Sequence, residues 1–97
     1  MKYIGSRRRG SMQIMHDVLE EASQAERTGV GVTRLLTISN LPFTRGLSFV
    51  DKLVGSGLIN RIKTEKRVTF VITGKGRLML DEYKKFSDLA GTFGLEL

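Results

Sequence analysis

The segment GLINRIKTEKRVTFVITGKGR, Gly57 to Arg77, holds two apolar runs separated by a charged tip. Leu58, Ile59 and Ile62 make the first run, and Val68-Thr69-Phe70-Val71-Ile72 the second. In the second, Val68, Phe70 and Ile72 alternate with Arg67, Thr69 and Val71, the pattern of a strand with one apolar and one mixed face. Lys63-Thr64-Glu65-Lys66-Arg67 lies between the runs, so the segment predicts a β-hairpin with a basic tip. Gly57 in front of it suits the left-handed cap of a preceding helix. Thr73 behind it suits the N-cap of a last helix running through about Leu89 or beyond. Gly74 and Gly76 fit as turn and close-packing residues at the strand-to-helix junction.

Working back from the hairpin, a third helix is predicted from about Pro42 to Ser56, burying Phe43, Leu47, Val50, Leu53 and Val54. Gly46 inside it costs about 0.5–1 kcal/mol relative to alanine. Pro42 suits a first helical turn, and the residue before a proline is pushed away from helical angles, so "SNLP" separates this helix from the one before. That second helix covers Val32 to Ser39, with Val32, Leu35 and Leu36 inside. Gly29 and Gly31 break the chain ahead of it. A first helix follows from the spacing of Met12, Met15, Val18, Leu19 and Ala22, with Ser6 or Ser11 as its cap.

Composition says which partners suit such a chain. The 97 residues carry 16 Lys and Arg against 10 Asp and Glu, a net charge of +6, which favours polyanions. The charge is uneven. Arg7, Arg8 and Arg9 are consecutive, and six basic residues but one acid lie between Arg61 and Arg77. Asp17, Glu20, Glu21 and Glu26 make the first helix acidic. Zero cysteines exclude disulfides and thiolate metal sites. The chain has neither a run of about 18 apolar residues nor a secretory signal pattern, so a cytoplasmic, nucleoid-associated protein is expected.

Three helices, a hairpin and a helix are the element order of a winged helix-turn-helix. The expected fold is therefore α+β, mainly α, with a two-stranded hairpin as the wing. The third helix would enter a DNA major groove and the hairpin tip would lie along the phosphates. Thr44, Arg45 and Ser48 then become candidates for base contact, Arg45 for guanine through its bidentate fork. Thr33, Arg34, Lys52, Arg61, Lys63, Lys66 and Arg67 are candidates for phosphate contact, with a capping role for Thr33 as an equal alternative. Arg7 to Arg9 make a basic arm at residues 1–10, either reaching the duplex or without fixed contacts.

Three blocks, "TRLLTISNL" (Thr33–Leu41), "GLI" (Gly57–Ile59) and "ITGKGRLML" (Ile72–Leu80), resemble an archaeal winged-helix family. Its members include small chromatin proteins and predicted transcription regulators that dimerise through a C-terminal coiled coil. In that family the position of Gly46 is usually apolar and packs the third helix; Leu47 is expected to take over that packing here. The resemblance implies DNA as partner.

Residues 78–97, beyond a domain at 11–77, carry the signature of a dimerisation helix. Met79, Tyr83, Phe86, Ala90, Phe93 and Leu97 are spaced 4, 3, 4, 3 and 4 residues apart, a heptad-like seam. Packing on the first helix is expected to claim Leu78 and part of Tyr83, leaving the distal seam for a second copy. Gly91 and Gly94 weaken the end of this helix.

Catalysis is not expected. His16, the single histidine, has no convergent partners for metal or triad chemistry, and neither Gly29-Val30-Gly31 nor Gly74-Lys75-Gly76 completes a phosphate-loop motif. No cofactor and no metal are expected. The rival readings are a protein-interaction or an RNA-binding winged helix.

Overall fold

Four helices and a three-stranded antiparallel sheet make up residues 10–95, the part of the chain that the computed structural model describes. In chain order they are α1 (Ser11–Ala25), a 3-10 turn (Glu26–Thr28), β1 (Val30–Gly31), α2 (Val32–Ser39), α3 (Phe43–Gly55), β2 (Ile59–Lys63), β3 (Val68–Ile72) and α4 (Gly74–Thr92).

Helix α1 buries Ile14, Met15, Val18, Leu19 and Ala22, about two residues per turn, a broad stripe facing the core. Met12, expected inside, is exposed, and Ile14 takes its place. Ser11 does not cap the helix. Gly10 occupies the N-cap without a side-chain bond, Ser11 is the first helical residue, and Ser6 lies outside the described residues.

Helix α2 has the expected bounds and buries Leu35 and Ser39. It stops at Asn40, left-handed at φ 54°, whose N–H donates to the Leu36 carbonyl at 3.1 Å. Asparagine tolerates that conformation better than most side chains. Pro42 then caps α3, which buries Gly46, Val50 and Leu53. Two expectations fail here. Phe43 is exposed, and the slot at Gly46 is filled not by Leu47 but by Leu36 from α2. A Cβ on Gly46 would meet Leu36 Cδ2 at 2.7 Å, so the glycine lets α2 and α3 approach.

The sheet order is β1-β3-β2. The expected hairpin is present, with Ile59 opposite Ile72 and Lys63 opposite Val68. A third strand joins it, because Val30 pairs with Phe70 and Gly31 with Thr69. The two-residue strand β1 has no alternation for a sequence to reveal; only its partner across the sheet defines it. Phe70 and Ile72 point into the core, where Val18, Leu19, Leu35, Val50 and Ile59 are almost inaccessible. Each such side chain contributes on the order of 1.5–3 kcal/mol by leaving water.

The end of α3 and the start of α4 meet at the root of the hairpin. Gly57, at φ 81°, closes α3: its N–H donates to the Val54 carbonyl and the Leu58 N–H to that of Leu53, both at 3.0 Å. Thr73 caps α4 as expected, its Oγ1 accepting the Gly76 N–H at 2.9 Å. Gly76 lies against the Leu58 backbone so closely that a Cβ would overlap the Leu58 carbonyl oxygen and stand 2.8 Å from Ile72 Cγ1.

Helix α4 runs antiparallel along α1, as its bonds show. Arg77 Nη1 donates to Ser23 Oγ at 3.3 Å, Lys84 pairs with Glu20 at 3.0 Å, and the Tyr83 hydroxyl donates to Gln13 Oε1 at 2.9 Å. Because α1 starts at Ser11, the distal part of α4 runs past it. The helix nevertheless holds to Thr92. Gly94, at φ 75°, ends it, with Leu95 N–H donating to the Ala90 carbonyl at 2.8 Å.

The two buried helical glycines differ in what surrounds them, and their alanine variants should differ too. Gly76→Ala must displace backbone and should cost at least about 2 kcal/mol of stability. Gly46→Ala meets only the far end of Leu36 and gains about 1 kcal/mol of helix propensity, so it should stay within about 1 kcal/mol of the parent. Urea denaturation of both variants checks the contrast.

Candidate nucleic-acid interface

Helix α3 turns Thr44, Arg45, Ser48, Asp51 and Lys52 away from the core. Arg45 and Lys52 are seven residues apart and lie on one flank, where they line an open cleft of about 950 Å³ with Ser48. The far wall of the cleft is the first turn of α1 and the turn Asn40–Pro42. That first turn contains no acidic residue, so the positive end of the helix adds to the potential of the two cations.

The wing tip is built by Thr64. Its N–H donates to the Arg67 carbonyl at 2.9 Å, and its Oγ1 accepts the Lys66 and Arg67 N–H groups at 3.3 and 3.2 Å. This tight turn leaves Lys63, Lys66 and Arg67 exposed, and none pairs with a carboxylate among the described residues. Arg45 and Lys52 likewise meet no carboxylate among the described residues.

Three other candidates, all exposed, make contacts within the chain. Arg61 pairs with Asp51 on α3, and its guanidinium lies over the Phe70 ring, 5.5 Å from the centroid. It braces the wing against α3 while remaining exposed. Arg34 Nε donates to Glu21 Oε2 of α1 at 3.0 Å. Thr33 is exposed but caps nothing, since Gly31 occupies the N-cap of α2; its carbonyl accepts from Thr37 Oγ1 at 2.9 Å. Arg7, Arg8 and Arg9 of the arm and Leu97 of the seam lie outside the described residues.

The acidic face of α1 is spent on internal contacts. Glu20 pairs with Lys84 and Glu21 with Arg34. The Lys84 hydrogen bond holds the Glu20 carboxyl below its ordinary value, against an opposing effect of burial. His16 Nδ1 is 3.0 Å from Asp17 Oδ1, and its ring lies 5.1 Å from that of Tyr83. The histidine thus packs α1 on α4. Among the described residues no cluster of three or more His, Cys, Asp or Glu side chains could hold a metal ion, and no helix is long and apolar enough to cross a membrane.

The heptad-like seam on α4 divides into two lines. Tyr83 and Ala90 are buried within the chain. Met79, Phe86 and Phe93, seven residues apart, form a neighbouring line that stays exposed, Phe86 at 59% and Phe93 at 72%. Leu78, expected to pack on the first helix, is exposed as well, and Leu89 joins the exposed stripe. Sequence reading also missed the Asp51–Arg61 brace and the exposure of Phe43. The charge complementarity of Asp51 and Arg61 was visible, but their contact depends on the path of β2 past α3.

Residues 8–91 match the winged helix-turn-helix family. Among solved structures, Sso10a-2, a DNA-binding protein from Sulfolobus solfataricus, is similar with a TM-score of 0.70 and 26% identity, over 88% of this chain and 85% of its own. RV1404 from Mycobacterium tuberculosis shares the fold with a TM-score of 0.64 and 19% identity, over 84% of this chain and 57% of its own. No curated protein matches the sequence. The family match takes in all four helices and all three strands almost to the end of α4, and the chain belongs to the winged helix-turn-helix family.

Proposed function

We propose that this chain binds double-stranded DNA as a homodimer and serves as a transcription regulator or chromatin component, without catalysis. The observation that carries the reading is a set of cations on two adjoining elements that meet no carboxylate among the described residues: Arg45 and Lys52 on α3, and Lys63, Lys66 and Arg67 on the wing. Phosphate contact needs such charges on parts of the chain that can approach a duplex, and a helix face and a hairpin tip meet that need. Similarity to Sso10a-2, a DNA-binding protein, supports the same partner. In this reading α3 lies in the major groove, with Thr44, Arg45 and Ser48 near base edges. The Met79, Phe86 and Phe93 line, with Leu89 beside it, is the surface that a second copy covers. Pairing of two chains presents two recognition helices to successive major grooves.

Three outcomes are expected. Replacing Lys63, Lys66 and Arg67 together with alanine should weaken binding about equally on every duplex and flatten the dependence of log affinity on log salt; an unchanged slope removes the wing from the interface. Arg45→Ala should relax preference at one base position per half-site, by roughly 1–3 kcal/mol for a bidentate guanine contact. Equal loss for every base in a binding selection would instead make Arg45 a phosphate ligand. Phe86→Glu combined with Phe93→Glu should give a folded monomer by circular dichroism and sedimentation, with lower DNA affinity. A dimer that survives both changes rules out this face of α4 as the interface.

A further inference from the structure

Phe43 is 67% exposed although it is a large aromatic at the first position of α3. It belongs neither to the core nor to the apolar residues packed against the core. The buried slot of its turn is taken by Gly46, which Leu36 covers, so the helix is held to the domain without the phenyl ring. Thr44 and Arg45 follow it on the same leading turn, and both are exposed. The ring therefore stands at the tip of the helix that carries Arg45 and Lys52, which pair with no carboxylate among the described residues.

A phenyl ring has no donor or acceptor, so it cannot distinguish bases by hydrogen bonding. One apolar group projects from the base edges of the major groove, the C5-methyl of thymine, and apolar side chains contact it there. From this we infer that Phe43 is a specificity-determining residue that packs on a thymine methyl when α3 enters the groove. The inference rests on the DNA-binding reading above and names the base feature that this part of the helix selects.

Removing the methyl alone tests it. The full chain is titrated, by fluorescence anisotropy, into an alternating A·T duplex and into the same duplex with deoxyuridine replacing thymidine, which keeps every hydrogen-bonding group of the groove. Burial of one methyl group by each chain predicts about fourfold tighter binding to the thymine duplex for each half-site occupied. Phe43→Ala should bind both duplexes equally, at the affinity of the parent for the uracil duplex and with the parent salt slope. Phe43→Leu, still apolar, should keep part of the preference. A parent chain indifferent to the methyl overturns the assignment, as does a Phe43→Ala variant that keeps the preference or loses affinity equally on both duplexes. If Phe43→Ala changes the sedimenting mass and leaves the thymine preference intact, the ring is a protein contact instead. Failure of the parent to bind any duplex overturns the DNA-binding reading itself, whereas binding without thymine preference overturns only the role of Phe43.

Discussion

The Thr73 hydroxyl stands where β3 passes into α4, donating to the Gly57 carbonyl at 2.6 Å and accepting the Gly76 N–H at 2.9 Å. The Thr73 N–H adds a bond to the Leu58 carbonyl at 3.1 Å. Gly57 and Leu58 are the residues that turn α3 into β2, so one side chain joins the end of α3, both strands of the wing and the start of α4. The arrangement leaves no space for a Cβ at Gly76, because the α4 backbone lies directly on that of Leu58. The wing is therefore fixed at its root. Its tip, closed by Thr64, carries its cations at a set position relative to α3. A second brace, Arg61 on Asp51 and over Phe70, ties the middle of β2 to the same helix.

Charge is sorted by this geometry. Exposed ion pairs contribute little stability, about 0–1 kcal/mol each, so their main effect here is on where net charge remains. Glu20 and Glu21 neutralise Lys84 and Arg34 at the sides of α1, and Asp51 neutralises Arg61 at the base of the wing. Asp51 would otherwise put a negative charge on the outward face of α3, next to Ser48. Among the described residues, the cations that meet no carboxylate include Arg45 and Lys52 along one flank of α3 and Lys63, Lys66 and Arg67 at the wing tip, with Arg27, Lys75 and Arg77 elsewhere.

Helix α4 serves two surfaces at once. At about 100° per residue, Gly76, Leu80 and Tyr83 face α1 and the sheet, while Met79, Phe86 and Phe93 line up on the adjoining side. The proximal half is anchored by Tyr83 against Gln13 and His16. The distal half extends past the start of α1 and keeps its aromatic side chains outside. A rigid helix shared in this way links the orientation of the exposed stripe to that of the domain that carries α3.

Much of this was legible in local sequence. Alternation at Val68–Ile72, the glycine at 57 and the threonine at 73 define the hairpin and both helix ends near it, because strand pleat, left-handed capping and side-chain capping act between close neighbours in the chain. The basic tip and the acidic first helix were equally plain. The tertiary structure decided matters that depend on contacts between distant residues. Strand β1 exists through its pairing with Phe70 and Thr69, and Gly46 is buried because Leu36 of another helix fills its place. Phe43 is outside and Ile14 inside because close packing, and not hydrophobicity alone, selects which apolar residues reach the core. Arg61 and Arg34 face carboxylates because β2 passes α3 and α2 passes α1. Local spacing determines which faces a segment can offer; the packing of the other segments determines which of those faces is covered, and that information is spread over the whole chain.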